Sequence, residues 1–293
     1  MSKRNTQEAK REARERLRVE REKQAKKDKM RRQLGVAGAV VVVLAVAGGI
    51  GIAVTNMSTG GGEGDNSDWS AASQVAEKDE AAGDYAKYTA PANTEGEDGT
   101  DVVIGDQDAA DTVTVYEDMR CPVCASFEQG VGETLIKDIE DGKYKAEFVF
   151  GTFLDGDNAE GVGSNGSGSK NALSALGAAL DVSPEAFLEY KKLLYSPDNH
   201  PDERIDEFAD DQKLIDMAQD VEELKGNDAF EKAVNEGTFD PWALKMSDKF
   251  RAAPDVTGTP TVKVNGQKMG GEQGSVPHNP EQYNQMVDAL LAK

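Results

Sequence analysis

The sequence predicts an α/β domain with a large helical insertion, preceded by one transmembrane helix and a flexible stalk. Three observations support this prediction. Residues 34–54 form an apolar run without a charged side chain. After residue 100, short β-branched segments alternate with helical patterns, as they do in α/β domains. A block of helical periodicity from about residue 170 to 253 separates two groups of predicted strands.

The apolar run at 34–54 has the length and the flanking charges of a membrane anchor. Its 21 residues would span about 32 Å as a helix, close to the ~30 Å hydrocarbon core of a bilayer. Residues 1–33 carry 14 Lys and Arg against 6 Asp and Glu, so the positive-inside rule places them in the cytoplasm. The rest of the chain would then lie outside the cell membrane.

Two alternatives for the N-terminal region are less favoured. A cleaved signal peptide could end near Ala45-Val46-Ala47, but its charged segment would be unusually long. The basic tail could bind nucleic acid, but a topology signal that lies beside anionic lipid headgroups accounts for the same charges. We therefore expect a retained anchor, contact with membrane lipid and no nucleic-acid partner.

Residues 55–99 predict a flexible linker between the anchor and the folded domain. The stretch is rich in Gly, Ser, Ala and acidic residues and has few large apolar side chains. Burial of so little apolar surface would not offset the conformational entropy that is lost on folding. We expect an unstructured stalk here and a folded domain over 100–293.

The first half of the folded domain places a cysteine at a strand-to-helix junction. The alternating segment 112–116 predicts a strand that leads directly to Cys121. Pro122 suits the first turn of a helix, where its missing N–H costs nothing. The segment 144–150 alternates in the same way and predicts a second strand.

The second half predicts helices first and a β-hairpin near the end. Ser183 before Pro184 has the pattern of a helix N-cap within the helical insertion, which we place at about 170–253. Asn265-Gly266 predicts the type I′ turn of a hairpin. A final helix is expected to begin after Asn279.

Cys121 and Cys124 are the only cysteines of the chain, and their chemistry is open from the residues alone. A zinc site needs four ligands, and the only histidines, His200 and His278, lack metal-ligand spacing. A static disulfide suits an oxidising compartment, but a bridge across so short a loop stabilises a fold little. At a helix N-terminus, the N–H groups and the helix dipole stabilise a reactive thiolate. We therefore favour a redox centre.

Two segments carry a resemblance to a known family, VIGDQDAADTVTVYEDMRCPVCASFE and VTGTPTVKVNG. They resemble the DsbA-like thiol–disulfide oxidoreductases, which have a thioredoxin fold, and in particular the membrane-anchored members of actinobacteria. The resemblance covers about residues 101–293 and implies that the helical block is an insertion in a thioredoxin-like fold. It implies a nucleophilic Cys121, a resolving Cys124, and a cis Pro260 that packs against the pair. The backbone of Thr259 would then pair with an extended substrate.

The resemblance also implies a function and partners. The redox-active disulfide Cys121–Cys124, without another cofactor, would oxidise cysteine pairs in reduced secreted or membrane proteins. Reoxidation would require a quinone-linked membrane protein, such as one similar to vitamin K epoxide reductase. We expect a monomeric domain outside the cytoplasm. A disulfide reductase of the same fold and a non-catalytic thioredoxin-like module with a static disulfide are the alternatives.

Two features depart from the family pattern. Members of the family often carry a histidine between the proline and the second cysteine, and Val123 occupies that position here. We therefore expect a less acidic Cys121 thiol. The family also often buries an acid beneath the pair. Glu117 and Asp118 are the nearest candidates for such a proton relay, and the alternative is that both are surface charges.

Overall fold

The structure is a computed structural model that describes residues 67–82, 88–156, 165–271 and 275–292. The predicted cytoplasmic tail and the predicted transmembrane helix at 34–54 lie outside these residues. Within the described ranges, no helix combines the length and the apolarity that crossing a membrane requires.

A five-stranded mixed sheet forms the centre of the domain. Its strands lie in the order β1-β3-β2-β4-β5, with β2 and β3 parallel and the other neighbours antiparallel. The β2–β3 register pairs Asp118 with Gly151, so both strands end at the same edge of the sheet. The strands are β1 (Val102–Ile104), β2 (Thr112–Asp118), β3 (Lys145–Gly151), β4 (Thr261–Val264) and β5 (Gln267–Lys268).

The described residues form nine α-helices, and five of them make up the predicted insertion between β3 and β4. A π-helical turn, Glu128–Gly132, joins α2 to α3. The α/β fold with a helical insertion is confirmed. The helices are α1 (Trp69–Ala82), α2 (Pro122–Phe127), α3 (Glu133–Glu140), α4 (Gly168–Val182), α5 (Pro184–Leu194), α6 (Asp211–Ala218), α7 (Asp228–Asn235), α8 (Asp240–Ala252) and α9 (Pro280–Leu291).

Local sequence signals account for several element boundaries. The Ser183 side chain accepts a hydrogen bond from the backbone N–H of Ala186 and caps α5, as predicted. Asn279 caps α9 in the same way. Asn265 and Gly266 both have positive φ, 50° and 78°, which is the conformation of the predicted type I′ turn.

The prediction of a flexible stalk is wrong for its described residues, 67–82 and 88–99. Helix α1 lies in this stretch, and its Trp69 is buried against Leu244 of α8. Tyr88 is buried in the main hydrophobic core. The composition is poor in apolar residues, but these two aromatic side chains find apolar partners on distant elements, and that burial offsets the entropy of ordering the segment.

Candidate active site

Cys121 lies at the N-terminus of α2, directly after the edge at which β2 ends. Its backbone is extended (φ −73°, ψ 117°), and Pro122 is the first helical residue, as predicted. The Cys121 side chain is 7% exposed, whereas Cys124, one helical turn further, is fully buried. Both cysteines are thiols in this structure. The strand-to-helix junction therefore gives one sulfur limited access to solvent and hides the other.

The two thiols have opposite pKa shifts. A hydrogen bond from the Cys124 side chain is the largest cause that lowers the pKa of Cys121 to about 6, and burial opposes it. The Thr259 side chain and the N–H groups of Cys124 and Val123 add to the lowering. Burial is the main reason that the pKa of Cys124 lies well above its ordinary value, and the charge of Glu117 contributes. At pH 7 the reduced pair is therefore one thiolate and one thiol.

The segment before β4 brings Thr259 to the Cys121 sulfur. The Thr259–Pro260 peptide is cis, and Pro260 is buried. The Sγ of Cys121 lies 3.7 Å from the carbonyl oxygen of Thr259, to which the thiol donates. Within the described part of the chain, the buried Thr259 hydroxyl has no partner except this sulfur, so it can donate to the thiolate.

Glu117 is fully buried next to a second acid and a lysine, so the surface-charge interpretation is wrong for this residue. Lys191 of α5 lies between two carboxylates, with its Nζ 2.9 Å from Glu117 Oε2 and 2.7 Å from Glu128 Oε1. One cation cannot neutralise two buried carboxylates. Desolvation is the largest cause that raises the pKa of Glu117 well above its ordinary value, although Lys191 opposes it.

Asp118 is also fully buried, and its carboxylate stabilises the turn that leads to Cys121 by accepting hydrogen bonds. It accepts hydrogen bonds from Arg120 N (3.0 Å), Ser169 Oγ (2.7 Å) and Leu154 N (3.2 Å). Burial raises its pKa to about 7 despite these donors. The surface-charge interpretation is wrong here too. Of the two predicted acids, Glu117 is the one whose charge acts on Cys124.

Several residues of the site come from the insertion or the active-site helix and were missed from the sequence. Lys191 and Glu128 complete the buried charge cluster, and the Tyr195 hydroxyl donates to the Asp118 carbonyl oxygen at 3.1 Å. His200 stacks on Tyr195 with the ring centres 5.6 Å apart. One signal could have identified Lys191, because it lies four residues after Phe187 on the apolar face of α5.

Comparison with known proteins identifies the family. A family model described as Thioredoxin matches residues 97–289. The chain belongs to this thioredoxin family. Disulfide bond formation protein D of Bacillus subtilis (strain 168) is 27% identical over 164 residues, which cover 56% of this chain and 67% of that protein.

Two solved structures share the fold of this thioredoxin-family chain. BdbD from Bacillus subtilis (oxidised) aligns with a TM-score of 0.50 and 22% identity, over 70% of this chain and 100% of that one. The MdbA protein, a thiol-disulfide oxidoreductase from Actinomyces oris, aligns with a TM-score of 0.51 and 19% identity, over 68% and 88%. Together with the family model and the Bacillus subtilis relative, these structures confirm the predicted kinship with DsbA-like thioredoxin-fold oxidoreductases.

Proposed function

We propose that this domain catalyses thiol–disulfide exchange outside the cytoplasm and oxidises cysteine pairs of reduced secreted or membrane proteins. The asymmetry of the pair carries the proposal. Cys121 has a lowered pKa and reaches solvent beside Thr259, whereas Cys124 is buried with a raised pKa. A static disulfide has no use for this asymmetry, but an exchange reaction needs one accessible sulfur and one protected sulfur.

The exchange proceeds in two displacements. A substrate thiolate attacks the Sγ of Cys121 in the Cys121–Cys124 disulfide, that S–S bond breaks, and a mixed disulfide forms. Cys124 leaves as a thiolate and takes up one proton. The second substrate thiolate attacks the substrate sulfur of the mixed disulfide and displaces Cys121 as a thiolate. Two electrons pass from the substrate to the pair, and the substrate's other proton goes to solvent.

The acidity of Cys121 favours oxidation of the substrate. A thiol with a pKa of about 6 is mostly ionised at pH 7, and this stabilises the reduced protein by about 1.4 kcal/mol relative to an unperturbed thiol. The stabilisation grows as the pH rises above 6 and is lost below pH 6, because the pKa is depressed. For a two-electron couple, 1.4 kcal/mol raises the reduction potential by about 30 mV.

Glu117 supplies the proton that Cys124 needs when it leaves. Burial raises the pKa of this carboxyl well above its ordinary value, which favours proton donation, and the carboxyl lies close enough to raise the pKa of Cys124. Lys191 and Glu128 set the charge balance around this carboxyl, because the lysine contacts both acids. We therefore assign the proton relay to Glu117, whereas Asp118 stabilises the turn before Cys121.

Exposed apolar side chains around the pair suit an unfolded substrate. In the described ranges, four large apolar side chains are exposed, and three of them are Val123 (47%), Phe153 (43%) and Ile205 (51%). Val123 belongs to the redox motif, and Phe153 follows the end of β3. Ile205 precedes Asp206, whose carboxylate pairs with Arg120, the residue before Cys121. The backbone at Thr259 would pair with the extended chain of the substrate.

A trapping experiment tests the proposed function. In the Cys124→Ser variant the mixed disulfide on Cys121 cannot be resolved by the protein, so reducible high-mass adducts should accumulate in native membranes. A variant with serine at both positions is the control and should trap nothing. If Cys124→Ser traps no substrate while Cys121 alkylates freely, the domain does not exchange disulfides with proteins.

We further propose that residues 34–54 anchor the domain in the cell membrane, where a quinone-linked protein similar to vitamin K epoxide reductase reoxidises the pair. The apolar run and its basic flank support the anchor, and the reaction requires an electron acceptor because each cycle leaves the pair reduced. Protease added to protoplasts should digest the C-terminal domain and spare an N-terminal tag. Digestion of the tag with survival of the domain would contradict this topology.

A further inference from the structure

Arg120, the residue before the redox motif, is buried and is held by three separate segments of the chain. It is 1% exposed, and one of its terminal nitrogens lies 3.0 Å from Asp155 Oδ1, 3.1 Å from the Asn165 carbonyl and 3.1 Å from Asp206 Oδ1. The other donates to the Glu203 carbonyl at 2.6 Å. Asp155 follows β3, and Asn165 precedes α4. Glu203 and Asp206 lie between α5 and α6.

The two carboxylates that hold Arg120 also hold the first turn of α4. Asp155 accepts hydrogen bonds from the backbone N–H of Ser169 (2.9 Å) and of Lys170 (3.0 Å). Asp206 accepts one from the N–H of Gly168 at 2.8 Å. The guanidinium and the start of the insertion therefore share their anionic partners, and neither can shift without the other.

Two glycines make this close approach feasible. A Cβ on Gly168 would lie 2.6 Å from Asp206 Oδ1 and 3.1 Å from the Cδ of Arg120. A Cβ on Gly166, whose φ is +105°, would lie 1.9 Å from Asp206 Oδ2. Glycine is therefore required at 166 and 168, because a side chain at either position would separate Asp206 from Arg120.

We propose that Arg120 is a positioning residue, which uses the helical insertion to fix the turn that presents Cys121. The backbone connects the two, because Arg120 N donates to Asp118 Oδ1 at 3.0 Å and Cys121 N donates to the Asp118 carbonyl at 2.9 Å. Anchoring of the guanidinium then holds the Cys121 sulfur against the α2 N–H groups and Thr259. The inference rests on the proposed exchange reaction at Cys121.

The pKa shift of Cys121 is consistent with a geometric effect. Its main causes are donors to the sulfur, and the charge of Arg120 is not among them. Displacement of the turn would misalign these donors and raise the pKa. The charge-neutral variant Gly168→Ala should therefore raise the pKa of Cys121 by about one unit, and alkylation of Cys121 at pH 6 should slow about fivefold.

Two further variants separate positioning from general destabilisation. Arg120→Lys keeps the charge but has no planar fork to reach all four acceptors, so it should show the same shift. Gly177→Ala is the control, because it introduces the same methyl group into α4, where the Cβ would lie 2.9 Å from Trp242. It should lower the melting temperature and leave the pH profile of Cys121 alkylation unchanged.

The outcomes are distinct. Wild-type pH profiles in folded Gly168→Ala and Arg120→Lys would overturn the inference, and so would an equal shift in Gly177→Ala. If those two variants do not fold, Asp206→Asn decides. It removes the charge that pairs with Arg120 and one of the two oxygens that accept from the N–H groups of Ser167 and Gly168, but it leaves the Arg120–Asp155 pair in place. A raised Cys121 pKa supports positioning, and an unchanged one overturns it. If Cys121 of the wild-type protein is alkylated as expected but the protein exchanges no disulfide, the proposed function is contradicted and this inference is not.

Discussion

The chemistry of each sulfur is determined by its nearest donors and charges. Because position 123 holds valine in place of histidine, the sequence predicts a less acidic Cys121 thiol. In the structure the acids act on Cys124, while neutral donors around Cys121 lower its pKa to about 6. Two N–H groups, the Cys124 thiol and the Thr259 side chain therefore replace the imidazole in part.

Replacement of Glu117 tests the proton relay. Glu117→Gln keeps a similar shape but cannot deliver a proton to Cys124, so oxidation of a reduced dithiol peptide at pH 7 should slow by about 100-fold. Lys191 keeps Glu128 as its partner in this variant, so the fold should tolerate the change. Peptide oxidation can be followed by the loss of free thiols.

The control for the relay is Glu128→Gln. This variant removes a carboxylate from the same lysine, but it leaves the acid whose charge acts on Cys124. It should slow the oxidation less than Glu117→Gln does. Equal rates in the two variants would show that the cluster acts through its total charge and that Glu117 carries no special proton.

Those parts of the candidate site that depend on residues adjacent in sequence could be predicted from the sequence. The helix start at Pro122 follows from adjacent residues, and the cis Pro260 follows from the family resemblance of a short motif. Arg120 and Lys191 are different, because their roles depend on partners supplied by loops and helices far along the chain. No local pattern records such pairings, and a buried charge is recognisable only once its partners are known.

At the scale of elements, helix α1 is the clearest departure from expectation, and its docking depends on one aromatic residue. Trp69 is 8% exposed, packs against Leu244, and lies over the Lys170 ammonium at 5.3 Å from the ring centre. Its truncation removes a large buried surface and a cation–π contact. Trp69→Ala should therefore lower the free energy of unfolding by about 3 kcal/mol, as measured by urea denaturation.

A matched substitution on the same helix controls for helix propensity. Val75 of α1 is 37% exposed, so Val75→Ala should change the free energy of unfolding by less than about 0.5 kcal/mol. If Trp69→Ala is no more destabilising than Val75→Ala, then α1 is not docked on α8, and the original expectation of a flexible stalk would be correct.

For the molecule as a whole, alternation and turn chemistry predicted the order of most elements. The hairpin turn and the caps of α5 and α9 depend on single residues and were correct. Strand β1 was missed because it has only three residues, which is too short for a periodic pattern. The sheet order was not predictable from local signals, because β1 pairs with β3 across a loop, a strand and two helices.

We propose that Cys121 and Cys124 form an oxidising redox couple. Reference couples run from about −270 mV for thioredoxin, with a cysteine pKa near 7, to about −120 mV for DsbA, with a pKa of ~3.5. A pKa of about 6 for Cys121 places the couple between them, nearer −200 mV than −120 mV. Above pH 6 reduction consumes one proton, so the potential should fall by about 30 mV per pH unit, against about 59 mV below pH 6.

The measurement is the equilibrium of the purified protein with glutathione buffers between pH 5 and 8. We expect a two-electron couple of about −200 mV at pH 7, with the change of slope near pH 6. A potential below about −300 mV, which is typical of structural disulfides, or no exchange with glutathione at all, would contradict it.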